Sequence, residues 1–218
     1  MTKKVCLDRP NRRDFLRTGI IGGTGLVVAE FAAPKELRAQ TNTWTGQVSA
    51  STDDAWESSL GFVYLTDKTD RICAQNTYGG FRFTDVTVPN RATITAASVS
   101  WYCENANPNL PDGCGVYMEA ADNAVTFLST KWALGVRPKT QHSGSFNDTT
   151  VTGWLSSTDI SAAVQEVVNR QGWVSRNAMA VLTYAPYGQV GSPVTVRMWD
   201  YNNGGPPNYA AILTIQYS

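Results

Sequence analysis

The chain has 218 residues, with 18 Lys+Arg balanced by 18 Asp+Glu, one His, four Cys and seven Trp. Residues 1–39 differ in composition from everything after them; without them the balance becomes 10 basic to 14 acidic residues, a net charge of about −4. A mildly acidic, charge-poor remainder with no Lys/Arg run after residue 40 is a poor candidate for nucleic acid or an anionic membrane, both of which need clustered basic residues.

The N-terminal segment comes first. Lys3, Lys4, Arg9, Arg12, Arg13 and Arg17 precede an uncharged stretch at residues 18–29 (TGIIGGTGLVVA), which is followed by Ala32, Ala33 and a polar segment. A basic region, a short apolar region and small residues before a cut are the signature of a secretory signal. The apolar run is too short to cross a bilayer as a helix, which takes ~20 residues. The core motif, Asn11-Arg12-Arg13-Asp14-Phe15-Leu16-Arg17, resembles the twin-arginine consensus. It implies that residues 1–39 are a twin-arginine signal peptide, cut after Ala39 or after Ala33, and that the protein is periplasmic, cell-surface or extracellular. Residues 40–218 are then one domain, long enough for a single core and without a transmembrane segment.

Beyond residue 40 the chain reads as short strands between turn signals, the all-β pattern. Expected strands are residues 63–66, 81–88 (FRFTDVTV), 92–103 (ATITAASVSWYC), 115–120, 123–128, 178–184, 194–199 and 210–217. Residues 115–120 and 123–128 flank Ala121-Asp122 as a candidate hairpin. One segment departs from this pattern. Residues 157–170 carry Ile160, Val164, Val167 and Val168 at helical spacing, with Thr158 as candidate N-cap, Asp159 at the favourable end of the helix dipole and Gly172 as the stop. The expected architecture is a two-sheet antiparallel β-sandwich, jelly-roll-like, with one short amphipathic helix over an edge or open end.

Cysteine is sparse after residue 40: Cys73, Cys103 and Cys114. Cys103 ends one apolar run and Cys114 begins the next, so a hairpin would set them face to face. A Cys103–Cys114 disulfide is therefore expected, stabilising by roughly 3 kcal/mol through its short loop. Cys73 is then the odd thiol, read as a small buried hydrophobe.

Three blocks in one order carry a resemblance: GGFRFTDVTVPNRATITAASVSWY (79–102), WLSSTDISAAVQEVVNRQGWVSRNAMAVLTY (154–184) and VRMWDYNNGGPPNYAAILTIQY (196–217). They resemble the secreted DNRLRE-type, carbohydrate-binding-module-like jelly-roll domain. The departure is Asn208-Tyr209 after Pro206-Pro207, where an Arg-Leu pair would be expected. Such domains occur as appended modules of secreted hydrolases and surface proteins, so the resemblance implies binding or scaffolding more than catalysis; fold analogy does not settle function.

The chemistry-bearing residues are few. His142 is the only histidine and lies in a polar stretch; no GxSxG elbow accompanies it. Asp53, Asp54, Glu57 and Asp200 are the carboxylates to inspect, since pairing of the terminal strands would bring the two ends of the domain together. Asp53, Asp54 and Asp200 are candidate ligands for a structural calcium, and the oxygen-rich stretch from Glu104 to Asp112 is a second. The aromatics are the most suggestive feature. Trp101 lies inside an apolar run and is expected in the core; Trp173 follows the helix and is expected to pack on it. Trp132, Trp199 and Tyr201 sit among polar or turn residues, and with Asp200 they form the candidate ligand-binding set: flat faces for sugar rings, polar neighbours for their hydroxyls. The leading expectation is an exported, non-catalytic module binding a polysaccharide or cell-surface glycan. A self-associating structural subunit of an envelope or extracellular assembly is the first alternative, and a carbohydrate-active hydrolase the second.

Overall fold

From Ala96 onward strict alternation of buried and half-exposed residues runs through the longest strand, Ile94–Cys103, where Ala97, Val99, Trp101 and Cys103 face inward and Ala96, Ser98, Ser100 and Tyr102 face outward. The surrounding structure is a computed structural model describing residues 40–72, 74–104, 114–146, 152–185, 194–202 and 205–218, all within the unit Ala39–Ser218. The expected signal segment, Cys73 and residues 105–112 of the oxygen-rich stretch lie outside the described residues.

In chain order the strands are β1 (Asn42–Gln47), β2 (Asp54–Glu57), β3 (Val63–Tyr64), β4 (Thr69–Ile72), β5 (Tyr78–Phe83), β6 (Ile94–Cys103), β7 (Gly115–Glu119), β8 (Lys139–Gly144) and β9 (Gly153–Ser156). The helix α1 (Ser161–Val168) follows, then β10 (Met179–Tyr184), β11 (Val194–Arg197) and β12 (Ile212–Tyr217). One antiparallel sheet runs β1-β12-β6-β11-β4, with β9 also on β6; the other runs β3-β2-β5-β10-β7-β8. Their inner faces share one buried cluster, with Val99, Trp101, Leu213 and Ile215 from the first sheet and Phe81, Phe83, Val116, Met118 and Val181 from the second. This is an all-β two-sheet sandwich, and its terminal strands β1 and β12 pair along their whole length.

The inner row also explains the end of β5. Phe81 and Phe83 alternate inward as their spacing requires, but Asp85 has φ 54° and turns the chain. Val86 and Val88 are still fully buried beyond the strand.

A second, smaller core lies on the outer face of the second sheet. Ala55, Val63, Ala180 and Leu182 pack there against Ala124, Phe127 and Leu134 of a strandless cover. This corrects the expected hairpin at 115–128: β7 pairs with β8 and β10, and residues 123–128 form no strand. Their backbone is tied elsewhere, Phe127 N donating to Thr52 O and Ala124 N to Ala178 O. The buried Arg137 donates to Glu119 at 2.7 Å and to the carbonyls of Val125 and Thr126.

The expected Cys103–Cys114 bridge is not formed, for a topological reason. β6 belongs to the first sheet and β7 to the second, so the two cysteines do not meet across a hairpin. Cys103 is a buried free thiol, its pKa pushed up to about 12 by burial, and Cys114 is disulfide-bonded elsewhere.

The helix begins later than its candidate cap. Thr158 Oγ1 accepts from Ser145 N instead, and Asp159 accepts from Ser161 N and Oγ at the first turn. Ala163, Val164, Val167 and Val168 are buried. On the opposite side Glu166 accepts from the backbone of Gln141 and His142 at 3.0 and 2.7 Å. α1 thus covers the open edge of β8, whose free N–H groups would otherwise invite another strand.

Trp101 is fully buried, edge-on to Phe81 and stacked on Phe146. Its indole N–H has no acceptor among the described residues. Trp101→Ala is expected to cost about 3–5 kcal/mol and Trp101→Phe, which leaves a smaller cavity, less than that. Urea unfolding of the two variants checks this; equal losses would refute the packing account.

Candidate functional site

Outward-facing residues of the first sheet fall into registered rows. Ala96 lies opposite Gln216, Ser98 opposite Thr214, and Ser100 opposite Ile212 on one side and Ser156 on the other. Tyr102 lies opposite Trp154. Inward positions take the bulk, so the outer face keeps short side chains: a shallow groove of about 290 Å³ is lined by Ala96, Ser98, Ser156, Asp159, Thr214 and Gln216 among others. Ser100 Oγ and Ser156 Oγ lie 2.7 Å apart, and Thr45 Oγ1 and Thr214 Oγ1 3.4 Å. Among the described residues the only carboxylate on the groove is Asp159. Partial burial opposes its ionisation, but hydrogen bonds from Ser161 and Ala97 N more than offset this and hold its pKa below the ordinary value.

At one end of these rows stands an aromatic ledge. Tyr102 meets Trp154 edge-on (5.8 Å, 86°) and Tyr209 at 4.4 Å; Tyr201 meets Tyr209 edge-on at 5.7 Å. The Arg197 guanidinium lies among three of the rings, 4.6 Å from Tyr102, 3.9 Å from Tyr201 and 4.2 Å from Tyr209. These are distances at which cation–π attraction acts. Arg197 Nε also donates to Glu104 at 3.0 Å. Trp154 is 45% exposed and is the most open ring of the group.

The Tyr201 ring is delivered by a 3-10 turn, Trp199–Tyr201, whose three side chains diverge. Trp199 packs against the sandwich core. Its backbone N–H donates at 2.7 Å to Asp54 of β2, tying the turn after β11 to the other sheet. Asp200 accepts from Ser51 Oγ at 3.0 Å. Asp54 and Asp200 each keep a second, buried oxygen with no hydrogen-bond partner among the described residues. Burial pushes the Asp54 carboxyl up to about 8; the Trp199 N–H pulls it down, and the charges of Asp200 and Asp53 push it further up.

Of the expected residues, then, Trp199, Asp200 and Tyr201 share one turn, and only Tyr201 joins the ledge. Trp132 sits in the cover of the second sheet, its N–H on Gly61 O, away from that turn. Of the candidate calcium ligands, Asp54 and Asp200 interact, whereas Asp53 is drawn to Arg82 Nη1 (2.7 Å) and Thr126 Oγ1 (3.2 Å). Among the described residues no group of three or more His, Cys, Asp or Glu is set to hold a metal ion. Glu57 is buried under the cover, accepting from Leu134 N and Gly135 N. His142 lies on β8 with its ring on Glu166. Tyr102, Trp154, Arg197 and Tyr209 were not singled out by the sequence reading. The signal for the first two was the alternation itself, each being the outward neighbour of a buried residue, Trp101 and Leu155.

Asp54 gives a pH prediction. In the unfolded chain it loses its proton near pH 4, and in the folded chain near 8. Between these values the native state binds the extra proton, so this group's stabilisation is full below about pH 4 and declines as pH rises toward 8, by up to about 1.4 kcal/mol per pH unit. Asp54→Asn is expected to flatten this part of the profile, read by chemical unfolding of both proteins at pH 5 and pH 8; an unchanged slope would refute it. The chain matches no family model and no curated protein.

Proposed function

We propose that this chain is an exported, non-catalytic module that binds a glycan along the outer face of its first sheet. The observation that carries the reading is the junction of an ordered aromatic ledge with a hydroxyl-lined groove, bearing the single carboxylate Asp159 among the described residues, on one registered surface. Sugar rings present C–H faces that lie against aromatic rings and hydroxyls that exchange hydrogen bonds with Ser, Thr and Gln; a ligand site of this kind combines apolar contact with a few placed polar groups. Ser98, Ser156, Thr214 and Gln216 supply the polar groups, and Trp154 the open ring. Arg197 supports the ring positions and is not itself the contact surface: its side chain is only 17% exposed.

The test is a polysaccharide and glycan-array screen followed by calorimetry on the best binder. Trp154→Ala is expected to weaken binding about tenfold or more, the equivalent of about 1.4 kcal/mol. Ser98→Arg, which fills the groove from β6 without touching the core, is expected to abolish it. Absence of binding to any polysaccharide, or wild-type affinity in both variants, would refute the reading.

A further inference from the structure

Exposed large apolar side chains are unevenly distributed. Of nine exposed large apolar side chains among the described residues, seven (Leu60, Phe62, Tyr64, Val125, Leu128, Trp132 and Val136) belong to residues 58–66 or to the 124–139 cover of the second sheet, and only Trp154 and Val174 lie elsewhere. The two segments meet. Ser58–Phe62 is a tight turn, with Gly61 N donating to Ser58 O and Ser58 N to Phe62 O, and Trp132 N donates to Gly61 O. Gly61 has φ 81°, and a Cβ there would fall 2.3 Å from the Trp132 ring, so the turn and the indole are fitted to each other. The same cover holds a groove of about 360 Å³ lined by Val125, Leu128, Ala133, Val136 and Pro138 together with the paired Glu119 and Arg137.

Charge separates this region from the rest. Residues 58–66 and 124–139 contain Lys131, Arg137 and Lys139 and not one Asp or Glu, in a domain with four more acidic than basic residues after position 40. Arg137 is spent on Glu119. The Lys131 ammonium stands 5.0 Å from the Phe62 ring centroid and 5.7 Å from that of Trp132, at the apolar tip.

We propose that this tip docks on a lipid surface. Leu60 and Phe62 enter the acyl boundary, the Trp132 indole sits at headgroup level, where amphipathic rings collect, and Lys131 meets lipid phosphate. The domain's net negative charge gives no long-range pull toward an anionic bilayer, so contact depends on apolar insertion, with the cation acting within a Debye length. An exposed turn carrying Leu60 and Phe62 beside a Trp and a Lys, in two segments without a carboxylate, has the amphipathic, cationic chemistry of a lipid boundary. The site is on the opposite sheet from the glycan groove and does not depend on that reading.

The test is co-sedimentation of the full chain with vesicles of phosphatidylcholine and of phosphatidylcholine with phosphatidylglycerol. Residues 1–39 are common to every protein compared, so differences between variants are read. Leu60→Ser, Phe62→Ser and Trp132→Ser are each expected to lower partitioning about tenfold on both vesicles. Lys131→Gln is expected to lose about fivefold on the anionic vesicles alone. Leu60 and Lys131 are surface positions whose replacement leaves the fold intact, which thermal melting verifies. A triple Ser variant that partitions like the wild type, or a wild type that binds neither vesicle, overturns the proposal. So does a concentration-dependent dimer that the Ser substitutions dissociate while vesicle binding stays unchanged.

Discussion

The two-residue period of β6 is the constraint on which the rest of the structure depends. Its inward residues, Ala97, Val99, Trp101 and Cys103, carry the first sheet's share of the sandwich core, while the next residue along in each case belongs to the outer face. A slip of one residue in pairing would exchange these sets, placing Tyr102 and three small residues in the core and Trp101 in water. The registers of β12 and β9 against β6 are therefore fixed by burial, and the rows of the outer face follow from the same registers. The groove is shallow and hydroxyl-lined because the apolar volume of this strand has been used on the other side.

Much of this was legible in the chain itself. The 92–103 run shows β-branched and aromatic residues in alternation and forms a strand within two residues of the expected start, and the 178–184 and 210–217 runs do likewise. The helix was legible from four apolar residues at helical spacing. The edge strands β8 and β1 were not: β8 (KTQHSG) buries only Thr140, and β1 (NTWTGQ) buries nothing fully, so neither shows an apolar period. The hairpin failed because residues 123–128 form no strand and pack as cover; the cysteine bridge failed for another reason. Adjacent apolar runs separated by a turn are read as neighbours, but β6 and β7 lie in different sheets, and local sequence carries no record of that crossing.

The site was half legible. Turn chemistry around Trp199 marked a place where the chain bends, and the bend does present Tyr201 to the ledge. The other members come from β6, β9, β11 and the approach to β12, and only the fold brings them together. The fate of Asp53 and Asp54 shows the limit clearly. Adjacent and identical in type, one accepts from Arg82 and Thr126 while the other reaches across to the Trp199 backbone, because a residue at a strand entrance sends consecutive side chains to opposite faces.

The position of Arg197 has an entropic meaning. Tyrosine rings on a surface normally keep some rotational freedom, and whatever binds them must take it away, at a cost of about 0.5–1.5 kcal/mol for each immobilised side chain. Here one guanidinium, itself held by Glu104, already sits among three of the rings. Their freedom is surrendered during folding, so a ligand of the proposed kind would meet a surface that is already still, and more of its contact energy would be retained as affinity.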